Sequence, residues 1–90
     1  MTKADIIKEI AQKTGIDKEV VSQVIEAMME SIKKSMSEGD EVFLRGFGSF
    51  IIKRRAEKIG RNISQNTSMV IPAHNIPAFK PAATFVEKVK

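Results

Sequence analysis

The 90-residue chain has no cysteine, no tryptophan and no tyrosine, one histidine and three prolines. Without cysteine, neither a disulfide nor a thiolate zinc site can staple so small a fold. His74 stands alone between prolines, with no cysteine or carboxylate cluster beside it, and such a histidine is more often a surface or packing residue than a catalyst. From residue 42 onward the only acids are Glu57 and Glu87, so no carboxylate pair for hydrolysis is evident there. Gly46-x-Gly48 lacks the third glycine and the following helix of a dinucleotide fold. No enzyme, metal or cofactor is expected. No apolar run approaches a membrane span, and Met1-Thr2-Lys3-Ala4-Asp5 opens no signal peptide. The expectation is a soluble intracellular protein, one domain over residues 1–90, with no membrane partner.

What is present is apolar surface and a lopsided charge. At 42% apolar the chain is well able to fold, yet a domain this small buries only roughly 60% of its unfolded surface. Dimerisation is the remaining cheap way to enlarge its core. The net charge of +4 hides a split. Residues 1–41 hold six Lys/Arg against nine Asp/Glu, and residues 42–90 hold nine against two. Such asymmetry points the second part toward nucleic acid or another acidic surface, the bland alternative being a solvated face with no partner.

Local signals order the chain. Thr2 caps a first helix with Asp5 in a capping-box variant, Ala4, Ile7, Ile10 and Ala11 form its stripe, and Gly15 stops it. Asp17 caps a second helix whose apolar face (Val21, Val24, Ile25, Met28, Met29, Ile32, Met36) runs to Gly39. So broad a face should cover more than one short helix, which favours core or dimer packing over a methionine-lined binding groove. Glu41–Leu44 and Ser49–Ala56 read as strands, the latter with Phe50 and Ile52 on one face and Ile51 and Lys53 on the other. Gly46 and Gly48 allow a tight turn between them. Past Ala56 the alternation fails, and Gly60 with Ser64–Ser68 marks a mobile distal hairpin. Met69–Phe79 returns as a strand that must lie at an edge or contain a break, because Pro72 and Pro77 have no N–H. A short amphipathic helix follows over Ala82–Val89. The centre of the chain is therefore a basic arm, approximately residues 53–75, projecting from a core.

Arg45-Gly46-Phe47-Gly48-Ser49-Phe50, Gly60-Arg61-Asn62 and Pro77-Ala78-Phe79-Lys80-Pro81, at their relative spacing, resemble the bacterial HU family of histone-like DNA-binding proteins, related to integration host factor. The resemblance covers the whole chain. It implies an α+β fold: an intertwined dimer, each subunit with an N-terminal helical hairpin, a three-stranded antiparallel sheet, a β-ribbon arm and a short C-terminal helix. Two arms would embrace the minor groove of double-stranded DNA. By position, Lys53, Arg55, Lys58 and Arg61 match the arm's DNA-facing places, alongside Arg54 and Asn62, and Lys80 matches a basic place at its base. Arg45, Gly46 and Gly48, with Lys3 near the first helix, would approach flanking phosphates. Ile63 stands where most relatives carry a proline that wedges between base pairs, and Asn75 replaces a frequent lysine.

The implied function is architectural: largely sequence-neutral bending of DNA in a bacterial nucleoid, in the cytoplasm, with distorted DNA preferred. The partner subunit would be an identical chain or a paralogue. The rival readings are a dimeric protein-interaction module, disfavoured by the absence of Tyr and Trp, and an RNA-binding relative, disfavoured by an arm without aromatics to stack bases.

Overall fold

A computed structural model describes residues 1–62 and 67–90, and the side chains of residues 1–57 and 72–90. Helix α1 spans Lys3–Thr14 and α2 spans Lys18–Ser37. Both starts are fixed by their own sequence. The Thr2 hydroxyl accepts from the Asp5 N–H at 3.3 Å, while the Asp5 carboxylate accepts from the Thr2 N–H at 2.8 Å. Two otherwise orphaned backbone donors are thus satisfied reciprocally. At α2 a single bond caps the start, Asp17 accepting from the Glu19 N–H at 2.9 Å. At the far end of α1 the Gly15 N–H donates to the Ala11 carbonyl at 2.9 Å, closing the helix as expected.

The chain then forms β1 (Val42–Leu44), β2 (Gly48–Arg55), β3 (Lys58–Asn62), β4 (Thr67–Ile71), β5 (His74–Pro81) and α3 (Ala83–Val89). Strands β1, β2 and β5 make an antiparallel sheet with β2 in the centre, and β3 pairs with β4 as a separate ribbon. The segment after Ala56 therefore does form strand, although no alternation marks it. A two-stranded ribbon with no core to cover needs backbone pairing and no apolar face. Ser64, Gln65 and Asn66 of the expected mobile hairpin lie outside the described residues, as does Ile63.

The prolines explain the division between sheet and ribbon. The Ile52 N–H points toward the β1 side, where Glu41 Oε2 accepts it at 2.8 Å beyond the end of β1. In an antiparallel pair two facing residues either exchange hydrogen bonds or both point away. Pro77 faces Ile52, so its missing donor lies on the open edge of β5, where it costs nothing. Pro72 has the opposite parity and would have to donate into the ladder, and there the ladder is interrupted. Ala56–Glu57 on one strand and Pro72–Ala73 on the other remain unpaired, after which Lys58 meets Ile71 with no slip of register.

Between β1 and β2 the Phe47 N–H donates to the Leu44 carbonyl at 2.9 Å, with Gly46 at φ 81°, as the third residue of a type II turn requires. Gly48 is buried, and a Cβ there would sit 2.6 Å from both the Lys80 carbonyl oxygen and the Phe79 ring. That closeness lets Phe79 reach Phe47 and Phe50, each 5.1 Å away between ring centroids, while Phe85 of α3 completes the cluster at 5.4 Å from Phe47. The Ala82 N–H to the Phe47 carbonyl, 2.9 Å, ties α3 to the turn.

A single chain does not close this core. Only Ile7 and Val21 are buried apolar residues among those described, while Val24, Met28, Phe47 and Phe79 are 61%, 46%, 45% and 39% exposed. The accessible surface is 7669 Å², against roughly 5,200 Å² for a compact monomer of this mass. The radius of gyration is 18.7 Å, where about 12 Å is usual for this length. No helix among the described residues is long and apolar enough to cross a membrane.

Candidate nucleic-acid interface

Side chains facing one another across adjacent strands share a side of the sheet, so the register sorts the sheet into two faces. One face takes Val42, Leu44, Phe50, Ile52 and Arg54, with Asn75, Pro77 and Phe79 opposite. It holds the aromatic cluster. The other takes Phe43, Ser49, Ile51, Lys53 and Arg55, with His74, Ile76, Ala78 and Lys80 opposite. This second face carries three cations and no carboxylate.

Lys53 and Arg55 lie at the arm-proximal end of β2, and Lys80 faces Ser49 across β5. All three are exposed, and none forms an ion pair among the described residues. Arg45, also exposed, stands in the turn at the Lys80 end of the face, away from Lys53 and Arg55. His74 lies opposite Arg55, its Nδ1 3.0 Å from the Pro72 carbonyl. A carbonyl can only accept, so Nδ1–H is the donor in this contact.

The remaining sequence-predicted residues separate. Arg54 and Asn75 face each other on the opposite side, the guanidinium 3.5 Å from the Asn75 amide oxygen. They belong to one another before any ligand. Lys3 opens α1 and is ion-paired to Glu26 of α2, so its ammonium already has a counter-charge. Gly48 is buried and acts through the close packing of Phe79 and Lys80. Gly46 shapes the turn, and its carbonyl accepts from the Thr84 hydroxyl at 3.3 Å. Lys58, Arg61 and Asn62 lie in β3, paired by backbone with Ile71, Ser68 and Thr67. Ile63 is outside the described residues.

Sequence reasoning missed Phe43 and Ser49 as members of the cationic face. The signal was present: Phe43 is one residue out of phase with Val42 and Leu44. Three residues are too few to establish alternation until the partner strand is known. Among the described residues the pKa shifts fall in the helices. Hydrogen bonds from the Thr2 backbone and hydroxyl hold the Asp5 carboxyl below the usual carboxylate range. The hydrogen bond to Glu30 raises Lys33 above the ordinary lysine value.

The sequence profile of the family described as "Bacterial DNA-binding protein" matches residues 1–90. The chain is 37% identical over 90 residues to DNA-binding protein HU of Geobacillus stearothermophilus, covering 100% of both. It is 39% identical over 89 residues to DNA-binding protein HU of Nostoc sp., covering 99% of this chain and 95% of the other. Among solved structures, an Anabaena HU–DNA cocrystal structure superposes with a TM-score of 0.94 at 39% identity, over 99% of this chain and 97% of that one. HU from Thermotoga maritima superposes at 0.71 with 28% identity over the full length of both.

Proposed function

We propose that this chain, which belongs to the bacterial DNA-binding protein family, binds double-stranded DNA as a dimer and bends it without strong readout of sequence. The observation that carries the reading is the sheet face of Lys53, Arg55 and Lys80. Its cations are unneutralised among the described residues, and it leads without slip of register into the ribbon that holds Lys58 and Arg61. Unpaired cations along an elongated support are suited to a phosphate backbone, which rewards each contact by releasing a condensed counterion. Few side chains here offer the paired donors needed to read base edges in the major groove.

Dimerisation follows from the surface left over. The excess area over a compact monomer leaves room for an obligate interface. Val24, Met28, Phe47 and Phe79 supply its apolar content. The second subunit is an identical chain or a paralogue, and the two arms then enclose the duplex from opposite sides.

Arg45 completes the cationic face, and Lys58, Arg61 and Asn62 extend it along the arm. Arg54 and Asn75 brace the arm's root from the other side, and Lys3 supports the helical hairpin. Ile63 is assigned from sequence alone: an apolar residue flanked by polar ones at the arm's end, suited to insert between base pairs. Unstacking costs a few kcal/mol per step, offset by the contacts a bent duplex allows. The reading locates the protein with the nucleoid, in the bacterial cytoplasm.

Titration against linear, nicked and four-way DNA at two salt concentrations tests it. Roughly 6–10 phosphate contacts per dimer should give a steep fall of affinity with salt, with the distorted DNAs bound more tightly. A shallow salt slope or indifference to DNA form would overturn the reading. End-to-end fluorescence transfer at saturating protein tests the wedge, since Ile63→Ser should reduce the bend in linear DNA while leaving the melting temperature unchanged.

A further inference from the structure

Phe43 is 70% exposed, among the highest values for any large apolar side chain described. It lies on the cationic face, away from the aromatic cluster. Across the three strands Phe43, Ser49 and Lys80 form one transverse row. The row borders a groove of about 360 Å³ also lined by Arg45, Gly46 and Pro81. An exposed phenyl ring thus borders a shallow groove that Arg45 and Lys80 also line, while Asp40 and Glu41 line a second cavity that the ring borders.

A second copy of this chain is not a fitting occupant. The apolar surface that a second subunit would cover lies on α2 and on the Phe47–Phe79 face, whereas Phe43 shares its face with Lys53, Arg55 and Lys80. Two such faces repel. Within the groove that Arg45 and Lys80 line, the fitting partner of this ring is anionic and offers a flat apolar surface. A nucleic-acid strand has both, but an intact duplex hides the faces of its bases. An unpaired base exposes one, and aromatic stacking combined with flanking cations is how single strands are held without regard to sequence.

We propose that Phe43 is a stacking platform for an unpaired base, with Lys80 and Arg45 holding the phosphates on either side of it. This rests on the DNA-binding reading above and adds a selectivity to it: DNA with a single-stranded gap is preferred over intact duplex through a residue on the body of the protein, separate from the arm. Because β1 is an edge strand of only three residues, no neighbouring strand crowds the ring from outside.

The test is equilibrium binding of the parent, Phe43→Leu and Phe43→Ala to an intact duplex and to the same duplex with a short gap carrying 2-aminopurine, whose fluorescence falls on stacking. Leucine keeps the apolar bulk and removes the ring face. Both variants should lose about five- to hundredfold in affinity for the gapped DNA, the range that stacking of one base confers. They should also lose the fluorescence quench, with a smaller loss of affinity on intact duplex than on gapped DNA and the melting temperature little changed. If Phe43→Leu binds and quenches as the parent does, or if both variants weaken equally on both DNAs, the platform is refuted while the DNA-binding reading stands. If the parent binds neither DNA, that reading fails and takes the platform with it.

Discussion

The helical hairpin and the cationic sheet face treat charge in opposite ways. In the helices two of the six cations are ion-paired among the described residues, Lys3 to Glu26 and Lys33 to Glu30, and residues 1–41 carry nine acids against those six cations. Their exposed residue is apolar, with Val20, Val24, Met28 and Met29 all at least one-third open. On the sheet face Lys53, Arg55 and Lys80 stand without a carboxylate among the described residues. Surface ion pairs contribute little to stability, and with more acids than cations the helical part offers a polyanion no net attraction. Unanswered cations stabilise nothing in the free protein, and their value appears when a polyanion arrives. One region is unfinished in apolar packing, the other in charge.

If that division holds, damage to the two regions should separate cleanly. The largest effect belongs to the apolar side. Met28→Glu would place a carboxylate in the surface that a second subunit covers, and an unpaired buried charge costs several kcal/mol. Sedimentation should show monomer at micromolar protein, melting should fall sharply and lose its dependence on concentration, and DNA binding should disappear with the dimer. A variant that remains dimeric would show that α2 is not the shared surface.

A smaller effect should come from the charged side, and it should distinguish the two faces of β2. Arg55→Ala should reduce the slope of log affinity against log salt by about one unit per arm, since each neutralised phosphate contributes close to −0.9, with melting unchanged. Arg54→Ala, on the face with Asn75, should alter that slope much less. Equal slopes for the two variants would erase the distinction between faces.

The smallest effect lies at the start of α1. Thr2→Ala should cost about 1 kcal/mol as the N-cap is removed, read by thermal melting. Asp5 adds a pH signature. Folding lowers its pKa, so its contribution is present above the unfolded-state value and is lost as pH falls through the folded one. The melting difference between the parent and Asp5→Asn should therefore shrink on acidification below the ordinary carboxylate range. A difference independent of pH would remove Asp5 from the cap. None of these changes at the helix start should touch DNA affinity.

What was readable in the sequence was what depends on near neighbours. Thr2, Asp5, Gly15 and Asp17 act within four residues, and all four cap as their types suggest. Pro77 announced an edge, and the order of helices and strands followed from such punctuation together with the apolar spacing. Long-range pairings were not readable. Nothing near Lys3 in the chain points to Glu26, 23 residues away. Pro72 and Pro77 look alike until the register assigns each a direction. The separation of Arg54 from Lys53 and Arg55 was implicit in the alternation of β2, but a run of three cations reads as one patch unless that alternation is imposed on it. The pattern of Phe43 became legible only when Ser49 and Lys80 were found in line with it.

The unbroken register across the interruption at Ala56–Glu57 and Pro72–Ala73 makes the arm a ruler that can be lengthened only in fixed increments. Adding a residue to one strand alone would throw every later pair out of step. One residue added to each strand keeps the pairing and extends the arm by about 3.4 Å, but turns its outer part over. Two added to each strand restore the original orientation and add about 6.8 Å, roughly two base-pair steps along a duplex. Arms of different reach can therefore be obtained from one body in paired increments, and the natural unit of change is four residues.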